Sequence, residues 1–288
     1  MLRIPILDVA DTSSKLYSLS ETRNGGQDVI SWATTRDGDW QGLPSIPGAK
    51  TILTSAVSKS GDVFASTGDQ DQGKLWRYRT GQGWLQMPDL PGDVQIQEMC
   101  CSGDSYLVGK GSDNTLLKLP LGETASTGLI WEVHEAPTSE VIATVEAEPT
   151  GSAETYVSTT TTSGTNRLYL HDGQRWIRQE LPSGVNTIEG GIAADTKGRL
   201  FVADNGSGSG QEATLYEREI GASGVSSDEW VELGVVPAIE WVDGVAVAPS
   251  GNIKAIVKLE ADPGEDALYI QWNDHTKNTQ NTVKFPVP

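Results

Sequence analysis

Apolar and polar residues alternate along this chain over short runs that break off at Gly, Asp, Asn or Ser, and almost nowhere do apolar residues recur with helical spacing. Val63-Phe64-Ala65, Leu75-Trp76-Arg77-Tyr78, Tyr106-Leu107-Val108, Leu168-Tyr169-Leu170, Leu200-Phe201-Val202 and Leu268-Tyr269-Ile270 are the clearest of these runs. β-branched and aromatic residues with period two suit a pleated, half-buried strand. The pattern therefore predicts an all-β chain of many short strands.

Two repeats set the architecture. Trp40, Trp84, Trp131, Trp176 and Trp230 follow one another at intervals of 44, 47, 45 and 54 residues. Asp39-Trp40-Gln41-Gly42-Leu43-Pro44, Gly83-Trp84-Leu85-Gln86-Met87-Pro88 and Arg175-Trp176 running on to Leu181-Pro182 are segments of one kind. Pro is tolerated there if the segment is an edge strand, which need not donate every N–H. The second repeat is a small-apolar strand, a tight turn ending in Gly, and the next strand: Ala56 to Phe64, Ala193 to Phe201 and Ala246 to Ile253, with fainter copies at Val9–Leu16, Cys100–Leu107 and Val145–Tyr156. Gly supplies the positive φ that such a hairpin needs. A period of about 40 to 50 residues with four strands per unit is the mark of propeller blades. Six units of about 48 residues account for all 288. The expected fold is a six-bladed β-propeller, with four antiparallel strands per blade and a central channel, forming a single domain over residues 1–288.

Composition narrows the partners. With 39 Asp+Glu against 21 Lys+Arg the net charge is −18, so phosphate backbones and anionic lipid headgroups repel the chain, and neither nucleic acid nor membrane is an expected partner. No apolar run reaches the length of a membrane-spanning helix. There is also no basic segment followed by an apolar one of the kind that opens a secretory signal, which leaves secreted and cytoplasmic locations both open. The nine Trp, against seven Tyr and three Phe, read mainly as the repeated packing anchor. Cys100 and Cys101 are adjacent, a spacing that scarcely admits ordinary disulfide geometry, and are expected to be two small core residues.

Two six-bladed families are resembled by particular segments of this chain. Gly191-Ile192-Ala193-Ala194-Asp195-Thr196-Lys197-Gly198-Arg199-Leu200-Phe201-Val202-Ala203-Asp204 resembles the repeat of gluconolactonase-like propellers. A Tyr strand followed by a Trp strand, as in Lys15-Leu16-Tyr17 to Ile30-Ser31-Trp32 and Asn166-Arg167-Leu168-Tyr169 to Trp176, resembles fungal fucose-specific lectins. That resemblance implies sugar sites built from an Arg at the start of the Tyr strand, a Glu on the following strand and an aromatic from a neighbouring blade. The Arg position reads Lys15, Lys74, Arg167, Thr214 and Ala267, so Arg167 alone matches. A multivalent lectin gains avidity from several copies of one site, whereas this chain keeps the scaffold and varies the site. The architecture is also similar to six-bladed fungal cyclases, including hetero-Diels–Alderases, although no motif is shared with them.

Candidate chemistry is sparse. His134, His171 and His275 lack ligand spacing, the oxygen-rich stretches Asp69 to Gly73 and Asp262 to Asp266 complete no calcium loop, and Gly206-Ser207-Gly208-Ser209-Gly210 has no paired base. No metal and no cofactor are expected. Carboxylates placed where the innermost strands begin stand out more: Glu98, Glu189, Glu240 and Asp243, with Trp241 beside them. Crowded carboxylates raise one another's pKa and so become able to exchange protons near neutrality. Equally, such groups hydrogen-bond loop backbone or hold a buried water. Trp241 offers a stacking wall or a plug.

On these grounds the leading expectation is a metal-independent enzyme of cyclase or pericyclase type with one pocket at the central channel, acting on an apolar or aromatic small molecule. Glu98, Glu189 and Asp243 would handle protons, and Trp241, Glu240 and Arg167 would bind the ligand. Close behind stands a secreted glycan-binding lectin with divergent sites, and behind that a metal-dependent lactonase-like propeller. The oligomeric state is left open.

Overall fold

The computed structural model describes residues 8–10, 15–20, 28–33, 41–68, 73–122, 129–185, 188, 192–195, 198–204, 214–219, 230–235, 245–246, 255–259, 267–274 and 279–286. These residues form six four-stranded sheets, each antiparallel and each built from four strands consecutive in sequence. The all-β expectation and the blade-like sheet of four strands are both met. No helix occurs among the described residues. The last strand, Thr279–Pro286, pairs with Ala267–Asp274 and completes the sixth sheet.

The chain divides into two compact units, residues 1–136 with 149–153, and residues 137–148 with 154–288. In the first unit the leading strands of successive sheets touch, Asp8–Ala10 against Ile52–Val57 and Ile52–Val57 against Ile96–Ser102. The second unit repeats the arrangement with Glu140–Ala147, Ile192–Ala194 and Val245–Ala246. The leading strand of each sheet is therefore its inner strand. Three of them share a register irregularity, after Ile52, at Ile96 opposite Gly111, and after Ile142. All three isoleucines are buried.

Apolar side chains fill the spaces between successive sheets. In the first unit Phe64 and Leu75 of the second sheet pack with Leu107, Leu117 and Leu119 of the third. In the second unit Tyr156, Leu168 and Leu170 meet Leu200 and Val202. Alternation explains the clusters: residues paired across strands share a face, so Leu168, opposite Ser158, and Leu170, opposite Tyr156, point to the same neighbour.

On the described residues the sequence repeats fall where expected, while Trp40 and the turn at residues 247–254 lie outside them. Trp84, Trp131, Trp176 and Trp230 each stand at or just before the start of a fourth strand. The tight turns are real as well: Gly61 (φ 88°) donates its N–H to Ser58 O at 2.9 Å, and Gly198 (φ 72°) donates to Asp195 O at 3.1 Å. Cys100 and Cys101 form no disulfide and are only partly buried, since adjacent strand residues face opposite sides and Cys101 alone packs onto the Phe64–Leu117 cluster.

One alignment is corrected. Lys15-Leu16-Tyr17 lies on the second strand of its sheet, Lys15–Ser20, and not on the third, which is Val29–Ala33. A Tyr strand and a Trp strand look alike in either position, because both are short alternating runs. Lys74, Arg167, Thr214 and Ala267 do stand at the starts of third strands, and Thr115 holds that place in the third sheet.

Candidate functional site

The fourth sheet gathers a polar cluster on one face. Its inner strand begins at Glu140, directly after a turn in which Glu140 N–H donates to Pro137 O at 3.1 Å. Glu140 pairs with Thr161, Ile142 with Thr159, and Thr159 in turn with Arg167 on the third strand. Tyr169, two residues on from Arg167, shares its face. Four side chains from three strands thus converge.

Glu140 is the centre of the cluster. It is only 6% exposed and accepts three hydrogen bonds: Thr159 Oγ1 donates to Oε2, while Arg167 Nη1 and Tyr169 Oη donate to Oε1, the latter at 2.9 Å. A buried carboxylate is costly unless paired and hydrogen-bonded, and here it is both. Arg167 gives Glu140 one of its N–H groups and keeps a side-chain exposure of 36%. It is also hydrogen-bonded to Tyr169, and a guanidinium has five N–H donors, more than these two bonds use. Behind it, Tyr169 meets Trp176 edge-on, with ring centroids 6.1 Å apart, and Trp176 meets His171 at 4.8 Å.

The protonation states follow. Burial pushes the Glu140 carboxyl up, but hydrogen bonds from Thr159, Tyr169 and Arg167, together with the guanidinium charge, outweigh it and hold the group below the ordinary carboxylate range. Arg167 is pushed up by its hydrogen bonds to Tyr169 and Glu140. Tyr169 is raised by burial first and then by its bond to the carboxylate. Near neutrality the cluster is therefore a carboxylate, a guanidinium and a phenol. Its charges cancel, and no member exchanges a proton in that range.

Of the residues singled out in the sequence, Arg167 takes part in this cluster. Glu98 lies on the inner strand of the third sheet, opposite Lys110 and partly exposed, in the other compact unit. Glu189, Glu240, Trp241 and Asp243 lie outside the described residues, as do Asp69 to Gln72, Asp262 to Asp266 and Gly206 to Gly210. Among the described residues no group of three His, Cys, Asp or Glu side chains could hold a metal ion.

Glu140 was not singled out, although it starts an inner strand just as Glu189 and Asp243 precede theirs. The lectin-like pattern places its Glu on the strand after the Arg, whereas Arg167 is met from the inner strand. Only the strand register reveals that partnership.

No family model matches the chain, and no curated protein matches its sequence. Solved structures do resemble it. The lectin SapL1, determined in complex with α-methyl fucoside, superposes with a TM-score of 0.62 at 14% identity, over 100% of this chain and 96% of that one. A streptogramin B lyase superposes with a TM-score of 0.62 at 14% identity, over 99% and 84% of the two chains. A 6-phosphogluconolactonase-like protein from Bacteroides uniformis reaches 0.59 at 11% identity, over 98% and 84%. At such identities the likeness establishes the fold, which is that of the β-propellers. Lectin, lyase and lactonase-like proteins all share it, so the fold leaves binding and catalysis both open. The fungal cyclase resemblance draws no support from these structures.

Proposed function

We propose that this chain binds a neutral, hydroxyl-rich glycan through the Arg167–Glu140–Tyr169 cluster of its fourth sheet. The observation that carries the reading is the geometry of that cluster, a part-exposed Arg167 guanidinium paired with a buried Glu140 carboxylate that also accepts from Thr159 and Tyr169. A guanidinium whose charge is balanced by a buried carboxylate has little left to attract an anion, yet its fixed N–H groups still present donors at set angles to sugar hydroxyls and ring oxygens. A cluster whose members all titrate far from neutrality donates hydrogen bonds well and serves poorly as a general acid or base. The resemblance to a lectin over the full chain agrees with the reading, and Arg167 stands at the position the lectin-like pattern reserves for its sugar-binding Arg.

The test is a glycan array probed with the labelled full chain and with Arg167→Ala. The wild type should bind a restricted set of glycans above buffer level, and Arg167→Ala should lose them. No glycan bound, or an unchanged array in the variant, would overturn the proposal.

A further inference from the structure

Among the described residues, the second, third and fifth sheets are each preceded by a turn glycine with positive φ, and the turn that carries Glu140 differs from these. Ahead of the second sheet, Gly48 sits at φ 75° and Ala49 N–H donates to Ile46 O at 3.2 Å. Ahead of the fifth, Gly184 sits at φ 86° and Val185 N–H donates to Pro182 O at 3.1 Å. Gly92, ahead of the third, has φ 62°. In each case the turn residue occupies the left-handed region, which the third residue of a type II turn requires and which glycine alone adopts without penalty. Space is not the reason for glycine, because a Cβ at Gly48, Gly92 or Gly184 would meet nothing within 4 Å.

Ahead of the fourth sheet the same position is Ser139, at φ 65°. Asn114, at φ 68°, is the other such non-glycine among the described residues, and Asn tolerates this region through its short polar side chain. Ser lacks that compensation and is strained in this region. Strain of this kind concentrates where a side chain is needed for function. Ser139 is exposed, and its neighbour is the buried Glu140 that fixes Arg167.

We propose that Ser139 is a specificity-determining residue of the glycan site, its hydroxyl held at a glycine-favouring position because it hydrogen-bonds the ligand. The inference rests on the glycan reading and adds a contact to it. Ser139→Gly removes the hydroxyl and the strain together, whereas Ser139→Ala removes only the hydroxyl.

The experiment is calorimetric titration of the full chain with a panel of methyl glycosides, among them α-methyl fucoside, with melting temperature measured alongside. Ser139→Gly should melt at a higher temperature than the wild type and yet bind about five- to tenfold more weakly, the loss expected for one neutral hydrogen bond. Ser139→Ala should weaken binding to the same degree. Wild-type affinity in Ser139→Gly would overturn the inference while leaving the glycan reading intact. Retention of affinity by Ser139→Ala alone would also overturn it, by tracing the effect to the backbone. A wild type that binds no methyl glycoside would remove the glycan reading and this inference with it.

Discussion

The indole Nε1 of Trp84, at the start of the second sheet's outer strand, donates to the carbonyl of Pro44, just past the outer strand of the first sheet, at 2.6 Å. The second unit repeats the bond: Trp230 Nε1 donates to Glu180 O at 3.0 Å, directly before Leu181-Pro182. In these two cases the recurring Trp donates to the backbone at or just before the Leu-Pro corner of the preceding sheet, a latch between successive sheets; Trp131, in the third sheet, keeps its buried indole N–H without such a bond. Trp84→Phe keeps the ring and loses the bond, so it should destabilise the chain by about 1 kcal/mol in urea unfolding. Leu85→Ala, at an exposed neighbour, should change stability by less than about 0.5 kcal/mol. Equal stability of the two variants would contradict the latch.

The turn between the first two strands of the fifth sheet is held by a buried ion pair. Asp195 is 0% exposed and accepts from Arg199 N–H at 3.0 Å, Nε at 2.8 Å and Nη2 at 2.5 Å. Arg199→Met keeps the backbone N–H of residue 199 on Asp195 but takes the guanidinium away from a buried carboxylate, which costs about 3 to 5 kcal/mol. The exposed pair Arg175–Asp172 is the control, where Arg175→Met should cost far less than Arg199→Met because solvent screens the pair. Chemical denaturation of both variants decides whether burial makes the difference.

Acid should remove the stabilisation that Glu140 supplies to the fourth sheet. The Glu140 carboxyl lies below its ordinary value in the folded state, so its contribution to stability is fully present above the ordinary carboxylate range and is lost as pH falls through the lower, folded value. Melting temperature followed from neutral pH down to about pH 3 should fall more steeply in the wild type than in Glu140→Gln, which has no proton to take up there. Parallel curves would show that Glu140 is not held as described.

These expectations also mark how far the sequence could be read. Trp spacing and the glycine-ended turns located the sheets because each reflects a local demand, a large anchor or a positive φ, that recurs with the period of the fold. Arg167 was legible from its place in a Tyr strand. Glu140 was not, because its partnership with Arg167 spans 27 residues and depends on the register of three strands and a bulge. The same blindness to register put Lys15 in the wrong strand of its sheet.

The most direct test of the account is the stoichiometry of glycan binding, measured by calorimetric titration of the full chain with the methyl glycoside it binds best. Arg167 stands alone at a position that reads Lys74, Thr115, Thr214 and Ala267 elsewhere, so the account predicts about one site per chain and none in Arg167→Ala. Several equivalent sites, or a single site that survives Arg167→Ala, would contradict it.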